Sequence, residues 1–218
     1  MLHLKNKNIL VMTAVDAERQ AVLRGLKENT SITVTVAGVG PAEAAANTAI
    51  ALSKGHYDLV ISMGIAGGFV NKAPVGSVVI ADQIIHADLG AESSEGFLPV
   101  EQLGFGTSKV TVDEQLMKNM LLALEKLEAS VRIGSILTLS TVTGTKQTAD
   151  VLQQRYPHAV AEAMEGFGVA IAAEQFGLPC MEIRAISNPI GPRDREAWKI
   201  KEAFAILEKS SEMIQEVF

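Results

Sequence analysis

The sequence predicts an α/β protein with three layers, α/β/α, around a central mixed sheet. Short apolar runs alternate with amphipathic segments along nearly the whole chain, as expected where strands alternate with helices. Several of these runs are almost continuously apolar, which is typical of strands buried on both faces. The chain has 218 residues, 48% of them hydrophobic and 20% charged. This size and composition suit one soluble domain, which we expect to span residues 1–218.

The strands are predicted from apolar runs that end at glycine or polar residues. The first is Ile-Leu-Val-Met-Thr, and the most continuously apolar run comes just before a glycine-rich segment, residues 64–68. In α/β folds ligands gather where strands end, so these ends are where we look for chemistry. In chain order, we predict strands at residues 9–13, 32–39, 58–63, 78–85, 132–139, 159–164 and 180–186.

The helices are predicted from helical periodicity and from residues suited to helix starts. Pro41 opens an alanine-rich segment, and proline is well placed in a first helical turn. The last segment of the chain is long and amphipathic. The stretch 90–109 is rich in Gly, Ser and Glu and is predicted to be a long loop, of the kind that is usually functional or mobile. We predict helices at residues 16–26, 41–52, 112–127, 148–155, 166–176 and 196–217.

Charge and composition exclude several classes of function. The net charge of −6 and the lack of a basic stripe argue against a nucleic-acid partner. No window approaches the ~18 consecutive apolar residues of a membrane helix, and the apolar run at 9–12 is too short for a signal peptide. The single cysteine, Cys180, rules out a disulfide framework and suits a reducing compartment, where it would be a buried structural thiol. We therefore expect a cytoplasmic location and no membrane partner.

No metal or redox cofactor is predicted. The four histidines, at positions 3, 56, 86 and 158, are scattered and form no ligand pair. His86 and Asp88 are therefore interpreted as ordinary polar residues at a strand end. Gly38-Val39-Gly40 begins like a dinucleotide-binding motif, but Glu43 stands where the third glycine belongs.

Two carboxylates at strand ends are the candidate catalytic residues. Glu18 follows the first strand, and Glu165 follows the strand at 159–164. Cleavage of a glycosidic bond passes through an oxocarbenium-like state, which needs a base for water and negative charge near the sugar. The alternative is that Glu18 favours a helix N-terminus electrostatically and that Glu165 caps the next helix. The segment 64–68 has a similar pair of interpretations: close approach of backbone to a ligand, or a simple tight turn.

These segments, in their order along the chain, resemble the nucleoside phosphorylase superfamily. They more narrowly resemble its hydrolytic branch, the 5′-methylthioadenosine/S-adenosylhomocysteine nucleosidases and the futalosine hydrolases. The resemblance runs nearly end to end. Its supports are the segments 14–18, 38–40, 63–68 and 75–82, the pair Met164-Glu165, and residues 184–188.

The resemblance implies a fold, a substrate and roles for individual residues. It implies a nucleoside phosphorylase-like fold, a purine nucleoside as substrate, Glu18 as the acid that activates water, and Glu165 as the carboxylate that holds the ribose 2′- and 3′-hydroxyls. It also implies a homodimer or higher homo-oligomer, with Phe105 as the candidate that reaches the neighbour's pocket. The further substrate-binding candidates are Ile65, Ala66, Gly67, Val142, Thr143, Met164 and Ser187.

Asn188 narrows the resemblance to the futalosine hydrolases, which release hypoxanthine from futalosine in menaquinone biosynthesis. The methylthioadenosine enzymes carry Asp at this position, and the continuation through residues 189–198 also looks like a futalosine hydrolase. An amide donates to N7 and O6 of a 6-oxopurine together, so Asn188 is predicted to select that base. The alternative role of Asn188 is purely structural: its side chain would cap the turn before Pro189.

The 5′ side of futalosine carries a benzoate, which calls for apolar walls and one cation. The candidate walls are Phe97, Phe105 and Trp198, and the candidate cations are Arg193 and Arg195. Trp198 is equally suited to be a core anchor, and Arg193 to pair with Asp194 at the helix start.

Three other functions stay open on the sequence. They are a methylthioadenosine-type nucleosidase with an unusual Asn, a phosphorolytic relative, and a nucleoside-binding protein without catalysis. The phosphorolytic alternative is disfavoured because the segment 64–68 offers no cation and Glu18 would repel phosphate. A binding protein has no need of both Glu18 and Glu165.

Overall fold

A computed structural model describes residues 7–27 and 31–218, so His3 lies outside the described residues. The observed strands are Ile9–Thr13 (β1), Ile32–Val36 (β2), Leu59–Gly68 (β3), Val78–His86 (β4), Gly90–Ser93 (β5), Gly96–Pro99 (β6), Lys109–Thr111 (β7), Val131–Thr138 (β8), Ala159–Ala163 (β9) and Cys180–Pro189 (β10). The observed helices are Asp16–Leu26 (α1), Pro41–Leu52 (α2), Glu114–Leu124 (α3), Lys146–Arg155 (α4), Gly166–Gln175 (α5) and Ile200–Val217 (α6).

The central sheet is mixed, which confirms the predicted class. Strand β1 pairs in parallel with β2 and β3, and β3 pairs in parallel with β10. Strand β10 runs antiparallel to β4, β4 and β8 are parallel, and β8 and β9 are parallel. Strand β9 then returns to the far end of β3 in an antiparallel pairing. Strands β3, β10, β4, β8 and β9 therefore form a closed ring of pairings, with β3 as the strand from which β1 and β2 branch.

The core is built from the strands predicted to be buried on both faces. Every residue of β1 is buried, as are the first six residues of β3. Helix α6 packs against α1 and α3, and α2 packs against α5. The α2–α5 contact is close because Gly168 lacks a side chain: a Cβ there would overlap the carbonyl of Pro41. This contact brings the N-termini of α2 and α5 together.

The segment 90–109 is not a continuous loop, which corrects the prediction. It contains the β5–β6 hairpin and ends at β7, which pairs with β4. The hairpin turns at Gly96, whose φ of 115° favours glycine, and the Ser93 hydroxyl donates to the Gly96 carbonyl at 2.7 Å. The prediction missed its strands because each has four residues and none of these is fully buried, so the segment lacks the apolar runs that indicated the other strands.

Strand β3 continues through the glycine-rich segment, which was predicted to be a loop. Its residues pair with β10 along their whole length, from Val60 to Gly68. The predicted helix at 112–127 is also shorter than expected. It begins at Glu114 because the Asp113 carboxylate accepts from the backbone N–H groups of Gln115 and Leu116, each at 2.9 Å.

The predicted C-terminal helix at 196–217 is split. Residues Arg195–Ala197 form one 3₁₀ turn, and α6 starts only at Ile200. Between them the Lys199 N–H donates to the carbonyl of Ser187 at 2.8 Å. This hydrogen bond connects the segment to the end of β10, so that Trp198 lies near the strand ends.

Two further observations concern the excluded functions. In the described part of the chain no helix is long and apolar enough to cross a membrane. Cys180 is buried at the start of β10, and burial raises the pKa of its thiol far above the ordinary value. Its predicted role as a buried structural thiol fits this position.

Candidate active site

A cavity of about 220 Å³ opens at the ends of β1, β3, β9 and β10. Two strand-end carboxylates, the glycine-rich end of β3 and the segment after β10 meet there. Its lining includes Ala14, Val15, Glu18, Ile65, Ala66, Gly67, Val142, Thr143, Glu162, Ala163, Met164, Glu165, Ser187, Asn188, Pro189, Gly191, Pro192, Arg193 and Trp198.

Glu18 stands in the first turn of α1, and its carboxylate is fixed by backbone donors. One oxygen, Oε2, accepts from the N–H groups of Ala14 at 2.8 Å and Val15 at 3.2 Å. The other, Oε1, accepts from the N–H of Ile65 at 2.9 Å, across the cavity floor. Burial raises the pKa of Glu18, and the nearby Arg184 opposes that rise. Glu18 thus supports the helix start, as the alternative interpretation holds, and also faces the cavity.

Glu165 lies between β9 and α5, and it is buried. Its Oε2 lies 3.3 Å from Nη2 of Arg184 and accepts from the Met164 N–H at 3.3 Å. Its Oε1 accepts from the N–H of Gly40, the residue before α2, at 3.5 Å. Glu165 occupies the N-cap position of α5, as the alternative interpretation holds, but its side chain makes no cap bond there.

Arg184, on β10, is the buried cation that joins these carboxylates. Its Nε donates to Oε1 of Glu182 at 2.8 Å, and its Nη2 donates to the Ser62 hydroxyl at 3.1 Å. The guanidinium approaches Glu18 because residue 64 is glycine. A Cβ on Gly64 would lie 2.5 Å from Oε1 of Glu18 and 2.6 Å from Nη1 of Arg184. The glycine-rich segment is therefore not a tight turn, and Gly64 leaves room for two side chains; its close approach to a ligand stays a prediction.

The opposite side of the cavity is formed by Asn188 and Glu162. The Asn188 Nδ2 donates to the carbonyl of Pro189 at 3.1 Å, and its Oδ1 lies 2.8 Å from the Ser187 hydroxyl. Glu162 is buried, and its two oxygens accept from the N–H of Thr143 at 2.8 Å and from its hydroxyl at 2.6 Å. Burial raises the pKa of Glu162.

The structure brings nearly all of the predicted site residues into this one cavity. Three candidates do not line it: Phe105, Phe97 and Arg195. Phe105 is 81% exposed, and its predicted role toward a neighbouring subunit stays a prediction. Phe97 lies under the guanidinium of Arg155, whose Cζ is 4.1 Å from the ring centroid, and Arg195 is exposed in the 3₁₀ turn. The predicted site residues that line the cavity are Glu18, Ile65, Ala66, Gly67, Val142, Thr143, Met164, Glu165, Ser187, Asn188, Arg193 and Trp198.

Arg193 and Trp198 line the solvent side of the cavity. Arg193 is exposed, Trp198 is half-buried, and the guanidinium carbon lies 5.4 Å from the centroid of the indole ring. Trp198 is therefore not a core anchor, and its role as a stacking surface stays a prediction. Within residues 7–27 and 31–218, Arg193 forms no ion pair with Asp194, whose side chain instead caps the 3₁₀ turn.

Sequence reasoning missed three charged residues of the site: Glu162, Glu182 and Arg184. A signal was present, because each charge interrupts an apolar run predicted to be a buried strand. Charged residues are almost never fully buried unless they are paired or functional.

Among the described residues, no group of three or more His, Cys, Asp or Glu side chains is arranged to hold a metal ion. His86 instead lies 3.2 Å from Oδ1 of Asp88 and packs against the ring of Phe167.

The sequence matches the family model for the phosphorylase superfamily over residues 7–218. It is 50% identical to a futalosine hydrolase of Streptomyces coelicolor over 220 residues, covering 92% of each chain. A futalosine hydrolase of Acidothermus cellulolyticus is 46% identical over 91% of this chain and 86% of its own.

Among solved structures, the fold is similar to a 5′-methylthioadenosine/S-adenosylhomocysteine nucleosidase from Neisseria meningitidis. That structure contains methylthio-immucillin-A, and the TM-score is 0.83 at 23% identity, over 96% of this chain and 99% of that one. A likeness at this identity supports the fold alone. The family model and the two closely similar sequences together show that the chain belongs to the phosphorylase superfamily and, within it, to the family of the futalosine hydrolases.

Proposed function

We propose that this chain hydrolyses the N-glycosidic bond of futalosine with water, releasing hypoxanthine and dehypoxanthine futalosine in menaquinone biosynthesis. The observation that carries the proposal is the lining of the cavity, in which the buried carboxylates Glu18 and Glu165 occur together with the amide of Asn188. The 50% identity to a protein named futalosine hydrolase supports this choice of substrate. We propose one catalytic domain over residues 1–218, acting in the cytoplasm.

Glu18 acts as the general base in this proposal. Its Oε1 faces the cavity beside the N–H of Ile65, where a bound water would lie within reach of a carboxylate. Glu18 takes a proton from the water as the water attacks the anomeric carbon. At the same time the bond from that carbon to the purine nitrogen breaks, and its electron pair stays with the leaving purine. Backbone donors fix the carboxylate, so little reorganisation is needed in the chemical step.

Glu165 holds the ribose diol and stabilises the positive charge that develops on the sugar. Arg184 and the Met164 N–H both contact Oε2 of Glu165, whereas Oε1 accepts a long bond of 3.5 Å from the Gly40 N–H, so Oε1 is the oxygen that we assign to the hydroxyls. Met164, the preceding residue, lines the same part of the cavity. Asn188 receives the leaving purine through a hydrogen bond to N7.

Water, and not phosphate, is the proposed nucleophile. Arg184 is buried and does not line the cavity, and its Nε and Nη2 already contact Glu182, Ser62 and Glu165. Among the described residues lining the cavity, Arg193 is the one cation, and it lies against the Trp198 ring. We assign Arg193 to the benzoate on the 5′ side, with Trp198 as an apolar wall. In the proposed homo-oligomer, Phe105 of a neighbouring subunit adds a further apolar wall on the 5′ side of the substrate.

We predict that the purified chain converts futalosine to hypoxanthine and a free sugar hemiacetal, at a rate that neither phosphate nor a chelator changes. Product analysis by liquid chromatography and mass spectrometry tests this, with inosine and methylthioadenosine as comparison substrates. A sugar 1-phosphate product would identify a phosphorylase. Faster cleavage of methylthioadenosine would identify the other nucleosidase activity, and binding without turnover would identify a binding protein.

We predict that Glu18→Gln lowers kcat by at least about 10²-fold and leaves KM nearly unchanged, because general-base catalysis acts only in the chemical step. The native enzyme loses kcat/KM as pH falls through the pKa of Glu18, since the base works only when ionised. Burial raises that pKa, so this limb lies above the ordinary range of glutamate. Asp16→Asn is the matched control, because Asp16 is an exposed carboxylate in the same helical turn. Full activity of Glu18→Gln would remove Glu18 from the mechanism.

We predict that the native enzyme prefers futalosine to its 6-amino analogue and that Asn188→Asp moves the preference toward the amino base. The amide N–H₂ faces two acceptors in the oxo base and another donor in the amino base, and an unpaired buried polar group costs roughly 1–3 kcal/mol. Ratios of kcat/KM for the two substrates measure the effect, which should be about ten- to hundredfold. Equal rates for both bases in the native enzyme would contradict the assignment.

A further inference from the structure

Three adjacent strands place Asn188, Gly67 and Glu162 side by side. Asn188 on β10 is the register partner of Gly67 on β3, and Gly67 is in turn the partner of Glu162 on β9. Neighbouring strands lie about 4.7–4.9 Å apart, so the two outer Cα atoms are separated by roughly 9–10 Å.

Gly67 has no side chain, which leaves a narrow slot between these two polar groups. A Cβ built on Gly67 would lie 2.9 Å from Cγ1 of Ile190, 3.4 Å from Nδ2 of Asn188 and 3.7 Å from Cγ of Glu162, so the slot is too tight for a side chain. Both side chains therefore leave the sheet on the same face as that Cβ. The slot is part of the cavity, which all three residues line. Its two walls present an amide donor and a carboxylate acceptor.

Glu162 is held rigidly but lacks a counter-charge. Its contacts with Thr143 occupy one acceptor position on each oxygen, and a carboxylate offers about four. Across residues 7–27 and 31–218 no Lys, Arg or His forms an ion pair with it. A buried carboxylate without a cation is costly unless further donors satisfy it. Since the group lines the cavity, a ligand with an N–H donor would supply what the protein does not.

One edge of a 6-oxopurine matches this pair of walls. Its N7 and O6 are acceptors, and the adjacent N1 carries a proton and is a donor. An adenine has an acceptor at N1 instead, which would face the carboxylate lone pairs. We propose that Glu162 is a specificity-determining residue that accepts a hydrogen bond from N1–H of the base, while Asn188 donates to the neighbouring N7 and O6 edge. This proposal rests on the proposed function, because it assumes that the cavity receives a 6-oxopurine nucleoside.

Binding of the free bases tests the proposal without requiring catalysis. Isothermal titration calorimetry would compare hypoxanthine with 1-methylhypoxanthine, which lacks the N1 proton, on the native protein and on Glu162→Gln. The native protein should bind hypoxanthine about ten- to hundredfold more tightly, the effect of leaving a buried polar group unpaired. In Glu162→Gln the difference between the two bases should shrink to a few-fold or less. Glu174→Gln, which changes an exposed glutamate on α5, should keep the native difference.

The outcomes separate this proposal from the proposed function. Equal binding of the two bases by the native protein, or no measurable binding of hypoxanthine, overturns the role of Glu162. The role of Glu162 is also overturned if the Glu162→Gln variant has a native circular dichroism spectrum and still binds the two bases with the native difference in affinity. If that variant does not fold, the comparison of the two bases on the native protein still tests the proposal. Discrimination between the bases without futalosine hydrolysis would support Glu162 and contradict the proposed function; hydrolysis without discrimination would do the reverse.

Discussion

The buried guanidinium of Arg184 stands among three carboxylates, Glu18, Glu165 and Glu182, and the site depends on this cluster. Taking a charge out of water costs several kcal/mol per ion, so each member needs the others in good geometry. Arg184 bonds Glu182 and Glu165 directly, and its charge lowers the pKa of Glu18 against the effect of burial. Three negative charges face one positive charge, and burial raises the pKa of Glu182. Its Oε2 has no hydrogen-bond partner in the described residues, so a proton is best accommodated there.

The backbone is shaped to admit this cluster. Gly64 lets Glu18 and Arg184 approach each other, and Gly166, directly after Glu165, leaves space that the Glu182 carboxylate fills. Further along β3, Gly67 lies between Asn188 and Glu162 on the two neighbouring strands. The same strand thus carries one glycine beside the charged cluster and one between the two residues that we propose contact the base.

The sequence was sufficient for seven of the strands and for the two candidate carboxylates, because both follow from local patterns. Apolar runs indicated those strands, and Glu18 and Glu165 lie close after the ends of two of them. The β5–β6 hairpin was missed because its strands are short and none of their residues is fully buried. The split before α6 was missed because it depends on the long-range bond from Lys199 to Ser187. Glu162, Glu182 and Arg184 were missed as site residues because their roles come from contacts between strands, which no single segment contains.

The claim that Arg184 sets the ionisation of the catalytic carboxylate is tested most directly by the pH dependence of kcat/KM. Removing Arg184 alone would leave unpaired buried charges, so the measurement compares the native enzyme with the double variant Glu182→Gln/Arg184→Gln, which removes the pair together. Without the guanidinium, burial and the Glu165 charge raise the pKa of Glu18, and only the backbone hydrogen bonds from Ile65 and Val15 still oppose that rise. The account predicts that the acidic limb of the profile moves to higher pH in the double variant. An acidic limb that stays at its native position in a folded, active double variant would contradict it.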